Sequence, residues 1–117
     1  MTWTGELAGK IAGQVLTDEV SREAVATDFG RLIERKPAAV IRPASAEDVA
    51  KVIKFAGKHG LGVSTRGGGH SQTGQSLSEH IVLDMTSLCT LNNVDVKAGY
   101  VICQAGLKWR SLVEQLA

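Results

Sequence analysis

Residues 66–75 have the sequence Arg-Gly-Gly-Gly-His-Ser-Gln-Thr-Gly-Gln. In ordered structure, three consecutive glycines cost roughly 0.5–1 kcal/mol each relative to alanine. A flexible surface linker would tolerate them without any function. This stretch, however, lies between two apolar segments, and it carries His70, which a linker does not need. Because glycines let successive backbone N–H groups approach an anion closely, a phosphate-binding turn and a plain loop both remain open.

Two common phosphate-binding motifs do not fit this stretch. The dinucleotide pattern G-x-G-x-x-G, started at Gly67, meets Gln72 at its sixth position. A P-loop beginning at Gly69 would need Lys-Ser after Gly74, but the chain has Gln75, which lacks the required charge. A P-loop also opens a helix, whereas the sequence here continues towards a strand.

The segment before the glycines contains the clearest secondary-structure patterns. Residues 38–41 are an apolar run between two prolines and predict a buried strand. A helix is predicted next, with Ser45 as its N-cap, apolar residues at i, i+3, i+4 and i+7 from Val49, and Gly60 as its C-terminal stop.

The remaining patterns are shorter. Apolar spacing predicts that the first thirty residues are helical, with Asp18 and Ser21 as candidate caps of a second short helix through Phe29 that stops at Gly30. After the first helices, the chain is predicted to contain strands at 61–66 and 81–83, a hairpin at 94–104 and a final helix at 109–116. The apolar stripe of that final helix runs to the last residue, so we expect the chain to be part of something longer.

Composition restricts the class of protein. The chain has 117 residues, 13 Lys and Arg against 12 Asp and Glu, and a net charge of +1. A net charge this small gives no electrostatic reason to expect binding to nucleic acid or to an anionic membrane. No apolar stretch approaches the length of a membrane span. No secretory leader is evident, so we expect a cytoplasmic location with Cys89 and Cys103 reduced. The three histidines have no metal-ligand spacing.

The glycine stretch and its flanks together resemble a known family. The pattern over 66–75 resembles the flavin-anchoring loop of FAD-dependent oxidases and dehydrogenases of the vanillyl-alcohol-oxidase (PCMH) type, most of all that of cytokinin dehydrogenases. Residues 28–43 and 82–85 resemble the segments that flank this loop in the family, and the resemblance covers roughly 15–117.

The resemblance implies an α+β fold, namely the N-terminal part of a PCMH-type FAD-binding domain with a small mixed sheet and packed helices. We expect a helical lead-in at 1–34 and the FAD-binding domain, incomplete at its C-terminal end, at 35–117.

The resemblance also implies site residues. His70 matches the position that is joined covalently to the flavin in many members. The other cofactor-binding positions implied are Gly67, Gly68, Gly69, Ser71, Gln75 and Ser76. Valine at Gly68 or Gly69 should therefore weaken FAD binding more than folding. The family's proton-accepting Asp lies in a downstream Trp-Thr-Asp stretch that this sequence does not contain.

The function implied is the FAD-binding portion of an oxidase or dehydrogenase that transfers a hydride from a substrate C–H bond to the flavin. The partner would be a small molecule in the full-length protein, with cytokinin-like amines favoured. One alternative is a truncated, non-catalytic fragment with at most partial cofactor binding. Another is a berberine-bridge-like sugar or alcohol oxidase.

Overall fold

A computed structural model describes residues 2–117. This part of the chain forms four α-helices, six strands and a short 3-10 turn at Met85–Ser87. The helices are α1 (Trp3–Ala8), α2 (Glu19–Ala24), α3 (Ala46–His59) and α4 (Trp109–Leu116). The strands are β1 (Gln14–Leu16), β2 (Ala39–Arg42), β3 (Val63–Arg66), β4 (Ile81–Asp84), β5 (Leu91–Asp95) and β6 (Tyr100–Cys103).

The larger sheet has four strands in the order β1-β2-β4-β3. Strands β2, β4 and β3 are parallel, and β1 pairs antiparallel with the outer side of β2. The carboxyl ends of the three parallel strands therefore lie at one edge, where residues 67–76 begin. This small mixed sheet with packed helices confirms the α+β prediction.

Both faces of the sheet are covered. Ile41, Ile81 and Leu83 point to the face on which α1 and α3 pack, and all three are fully buried. The alternate residues Val40 and Val82 face the other side and contact the chain just after α2. This arrangement explains why β2 and β4 are continuous apolar runs, since a strand buried on both faces has no solvent-facing position.

The prediction for α3 is confirmed at both ends. The Ser45 hydroxyl accepts a hydrogen bond from the Asp48 N–H at 3.3 Å, and Gly60 ends the helix with a φ of +65°. The buried Asp48 carboxylate also accepts hydrogen bonds from the backbone N–H groups of Ala12, Gly13 and Ala44. Asp48 thus joins the start of α3 to the segment that leads into β1.

The helical prediction for the first thirty residues is wrong between the helices. Residues 14–16 form β1, with Val15 opposite Ile41 of β2. The apolar spacing there fits a helix and a short edge strand equally well, and pairing with β2 determines the outcome. Helix α2, capped by Asp18 as predicted, ends at Ala24 and not near Phe29. The division at 34/35 stays a prediction, although β1 shares its sheet with strands beyond it.

The last quarter of the chain, from β5 onwards, forms a second unit. Strands β5 and β6 are antiparallel and are joined through Gly99, whose φ is +80°, as the predicted hairpin requires. Helix α4 follows and occupies the predicted residues. Gly106 allows this unit to approach the larger sheet, because a Cβ at Gly106 would overlap the carbonyl oxygen of Met85.

Candidate functional site

A groove of about 680 Å³ lies between the glycine loop and the segment that leads into α4. We call it the loop–helix groove. One wall is formed by Gly67, Gly68 and His70, which follow the carboxyl end of β3. The opposite wall is formed by residues 105–110. Hence the groove opens at the edge of the sheet where the parallel strands end.

The glycines of this loop fall into two groups. Gly69 and Gly74 have φ values of +75° and +87°, a conformation that other residues adopt only with strain. A Cβ at Gly69 would also overlap the Arg66 guanidinium. In contrast, a Cβ at Gly67 would meet no protein atom within 4 Å and would project into open space. The backbone of the loop thus requires Gly69, whereas Gly67 is free for close approach by a ligand.

The prediction that valine at Gly69 would affect FAD binding more than folding therefore fails on geometry. Its positive φ and the packed Arg66 side chain make Gly69 a requirement of the folded loop. Gly68 differs, because a Cβ there would lie 3.0 Å from the His70 ring and would press on that side chain instead.

The loop is held by backbone hydrogen bonds against the segment that follows α2, about forty positions earlier in the sequence. The Phe29 N–H donates to the carbonyl oxygen of Gly69 at 2.8 Å, and the Gly30 N–H donates to that of Ser71 at 3.1 Å. From β3, the Arg66 guanidinium donates to the carbonyl oxygen of Thr27 at 2.7 Å. These bonds fix the path of the loop from 69 to 71.

Asp28 is at the centre of this contact and is 5% exposed. Its Oδ2 accepts hydrogen bonds from the Ser71 hydroxyl at 2.7 Å and the Gly74 N–H at 2.9 Å. Its Oδ1 accepts from the Arg31 N–H at 3.1 Å. The Ser71 hydroxyl is the main cause that lowers the pKa of Asp28 below its ordinary value, opposed by burial and aided by the two N–H donors. Asp28 is therefore held as a carboxylate.

Three side chains predicted to contact the cofactor interact within the loop. The hydroxyls of Ser71 and Ser76 are 2.8 Å apart, and Ser76 is buried. The Gln75 Oε1 accepts a hydrogen bond from the Thr73 N–H at 3.1 Å. Their role as cofactor ligands stays a prediction, and what the structure shows is a network that sets the shape of the loop.

The loop contains unpaired backbone donors. Among residues 2–117, the N–H groups of 68–72 find no acceptor, and two of these residues, Gly68 and His70, line the groove. Those of 109–111, in the first turn of α4, likewise have no acceptor in this part of the chain, and Lys108 provides no side-chain cap. The positive end of the α4 dipole and the charges of Lys108 and Arg110 add to this donor set.

This arrangement fits a bound diphosphate. Two rows of N–H donors, two cations and a glycine with open space beside it favour an anion in the groove. Neither the 105–110 wall nor the contacts that Asp28 and Arg66 make with the loop are predicted by the sequence patterns. The one available clue was Gly106, a glycine placed between a strand and an amphipathic helix.

Residues 2–117 have three further features that bear on function. No helix there combines the length and apolar character needed to cross a bilayer. No three His, Cys, Asp or Glu side chains in this range are grouped so that they could hold a metal ion. Cys89 and Cys103 are both exposed thiols.

Comparison with protein families identifies the chain. A family model described as an FAD binding domain matches residues 37–117. The chain belongs to this FAD-binding family. The resemblance inferred from residues 66–75 and their flanks is thus confirmed, and the loop–helix groove lies within the matched region.

Three curated relatives illustrate the range of the family. An uncharacterized oxidoreductase of the fasciation locus of Rhodococcoides fascians is 34% identical over 98 residues, or 83% of this chain and 22% of the relative. L-gulono-1,4-lactone dehydrogenase of Mycobacterium tuberculosis is 40% identical over 81 residues, 69% of this chain and 19% of the relative. Cytokinin dehydrogenase 7 of Oryza sativa is 34% identical over 93 residues, 76% and 18% respectively. The chain spans about a fifth of these relatives' length.

Solved structures agree on the fold. 6-Hydroxy-D-nicotine oxidase from Arthrobacter nicotinovorans has a TM-score of 0.76 and 31% identity, over 90% of this chain and 23% of that one. An alkyldihydroxyacetonephosphate synthase has a TM-score of 0.83 over 97% of this chain and 26% of that one. The latter is 20% identical, so it supports the architecture alone.

Proposed function

We propose that the loop–helix groove binds the diphosphate of FAD. The observation that carries this proposal is that the groove is lined by residues whose N–H groups have no acceptor within 2–117. They are Gly68 and His70 on one wall and Trp109 and Arg110 on the other, with Gly67 beside them. Membership of the FAD-binding family indicates that the cofactor is FAD. The unpaired backbone donors indicate that this chain would hold its diphosphate. Lys108 and Arg110 would balance the charge of the two phosphates.

His70 is the proposed point of covalent attachment. Its imidazole is exposed and lines the groove next to Gly68. Attachment would join an imidazole ring nitrogen to the 8α-methyl carbon of the flavin, with one proton lost from each and two electrons passed to the flavin ring. The motivation is the position of His70 in the matched loop motif.

The whole protein would then be a flavin-dependent oxidase or dehydrogenase. When bound, FAD supplies hydride acceptance from a substrate C–H bond. The contribution of the residues described is to bind and orient the cofactor. Cytokinin-like amines are the favoured substrates, in line with the relative from Oryza sativa. Sugar lactones are the second candidate, because the 40% identical relative is named as a dehydrogenase of L-gulono-1,4-lactone.

Competition binding tests the diphosphate proposal. We expect FAD to bind the 117-residue chain, with ADP as a competitor and riboflavin as a much weaker one, because riboflavin lacks the diphosphate. The measurement is fluorescence titration of FAD with each competitor. If riboflavin competes as well as ADP, or if FAD does not bind, the groove does not hold the diphosphate.

Attachment is tested by acid precipitation of the protein after it has bound FAD. Acid-precipitated protein should stay yellow, and the His70→Ala variant should lose the colour. Yellow acid-precipitated H70A protein would show that attachment is elsewhere.

The 117-residue chain with added FAD should reduce a dye no faster than free FAD, whether adenine-type cytokinins or sugar lactones are supplied.

A further inference from the structure

Two buried carboxylates of this fold each accept several hydrogen bonds. Asp28 is 5% exposed and Asp48 is 2% exposed. Asp48 holds the start of α3, away from the loop–helix groove. Asp28 instead accepts two hydrogen bonds from the glycine loop itself. Folding alone accounts for Asp48. Asp28, in contrast, contacts the loop that also forms one wall of the groove.

We propose that Asp28 and Phe29 are positioning residues for FAD: Asp28 fixes the backbone of the glycine loop, and Phe29 fixes the orientation of the His70 imidazole. This inference rests on the proposed function of the groove. Neither side chain is among the residues that line the groove, so both act through the loop.

The hydrogen bonds show how Asp28 would act. Its Oδ2 joins Ser71 to Gly74, which closes the loop on the side away from the groove. Its Oδ1 is bound to the Arg31 N–H, so the carboxylate cannot turn without losing a bond at one end. With the carbonyl groups of Gly69 and Ser71 also bound to the 29–30 backbone, the free N–H groups of 68–72 are held in one arrangement.

Phe29 acts on the neighbouring imidazole. Its ring lies edge-to-face with that of His70, with centroids 6.1 Å apart and planes at 76°. On another side, the His70 ring approaches the backbone of Gly68 so closely that a Cβ there would lie at 3.0 Å. Phe29 is 67% exposed, so burial in the core does not explain an aromatic residue at this position. The edge-to-face contact with the His70 ring explains the aromatic residue instead.

The first test compares Asp28→Asn with Asp48→Asn. Both remove one negative charge from a buried site with multiple donors, but only Asp28 contacts the loop. We expect D28N to weaken FAD binding by about tenfold or more, which corresponds to the loss of one charged hydrogen bond. D48N should bind FAD like the wild type at a temperature where both are folded. Equal weakening in the two variants would overturn the proposal.

Ser71→Ala keeps the proposal testable if D28N does not fold. It removes one of the donors to Asp28 and leaves the other two in place. We expect S71A to bind FAD more weakly than the wild type. Unchanged affinity in S71A would overturn the role of this hydrogen bond in fixing the loop.

The second test needs no FAD. The NMR shifts of the His70 ring protons should move towards random-coil values in Phe29→Leu and be kept in Phe29→Tyr, which restores an aromatic ring. The D48N spectrum should keep the wild-type shifts. His70 shifts that are the same with and without the Phe29 ring would overturn the positioning by Phe29. Failure of the wild-type chain to bind FAD would instead count against the proposed function alone.

Discussion

Gly67 and Gly69 are two residues apart, yet they are glycine for different reasons. Gly69 has a positive φ and the Arg66 guanidinium against it, so its lack of a side chain serves the fold. Gly67 has open space where a Cβ would be and lines the loop–helix groove. Because no protein atom lies near this position, a ligand in the groove would explain why residue 67 has no side chain.

These differences predict opposite outcomes for alanine. Gly69→Ala should lower the free energy of unfolding by about 1–2 kcal/mol through left-handed backbone strain, and more if Arg66 cannot move. Gly67→Ala should leave the unfolding midpoint close to that of wild type but weaken FAD binding. Chemical denaturation and FAD titration measure the two effects. A G67A variant that loses stability as G69A does would show that both glycines serve the fold.

Asp48 makes a pH-dependent contribution to stability. Burial would raise its pKa, but the N–H donors of Ala44, Ala12 and Gly13 outweigh burial and lower the pKa below its ordinary value of 3.8. A carboxyl with a lowered folded-state pKa stabilises the fold above its unfolded pKa, and this stability is lost as the pH falls through the folded value.

We therefore expect Asp48→Asn to be less stable than wild type by about 2–3 kcal/mol at pH 7, because a charged acceptor of several N–H groups is lost. The difference should shrink as the pH falls below about 4. Urea unfolding midpoints from pH 7 to pH 3 measure it. A difference that stays constant over this range would show that the charge of Asp48 contributes nothing.

Single residues were predictable where local chemistry alone fixed their role. Ser45 and Gly60 follow from capping rules, whereas the role of His70 stays a prediction from the family resemblance. Asp28 was not found as an organiser, because its three donors come from Arg31, Ser71 and Gly74, two of them more than forty positions away. No periodicity in a single sequence reports such a contact.

Helix α3 shows how position within one element sets the effect of a glycine. Gly57 lies inside the helix and is exposed, with nothing within 4 Å of its Cβ position. Gly60 is equally open but has a φ of +65°. Space is therefore the same at both positions, and backbone conformation is the only variable.

Alanine should accordingly change stability in opposite directions. Gly57→Ala is expected to stabilise the chain by about 0.5–1 kcal/mol through helix propensity. Gly60→Ala should destabilise it by about 1 kcal/mol because alanine disfavours the left-handed region. Thermal unfolding of the two variants beside wild type measures both. The same direction of change in both would mean that something other than the backbone acts at one of them.

At the level of elements, the sequence was informative where a pattern was long or bounded by turn residues. Helices α3 and α4, strand β4 and the hairpin were all placed correctly. Strand β1 was missed because three residues cannot establish a period and because its partner β2 lies 25 positions away. The early end of α2 was missed because the residues after it serve to bind Arg66 and the glycine loop.

The molecule as a whole is elongated. Its radius of gyration is 15.4 Å, against about 13 Å for a compact domain of this length. Its extents are 52 × 33 × 22 Å. The β5–β6 hairpin with α4 forms a unit of its own beside the larger sheet, and the loop–helix groove lies where the two meet. Ligand binding in the groove would thus bridge both units.

The hairpin and α4 share an exposed apolar surface, which we call the hairpin–helix face. It is formed by Val94, Val96, Tyr100, Val101, Trp109 and Leu116, with the buried Leu112 beneath them. Val96 is 88% exposed and Trp109 is 81% exposed. Because contiguous apolar surfaces of this kind drive association in water, we expect the 117-residue chain to self-associate through this face as its concentration rises.

Sedimentation velocity over a range of concentrations tests this expectation with a matched pair of variants. Val96→Lys places a charge on the hairpin–helix face and should shift the chain towards monomer. Val20→Lys makes the same change on α2, where the valine is 79% exposed but lies outside this face, and should leave the association as in wild type. If V20K reduces association as much as V96K, added net charge and not the face is responsible. If the wild-type chain stays monomeric at every concentration, the exposed apolar side chains are tolerated singly, as many surface valines are.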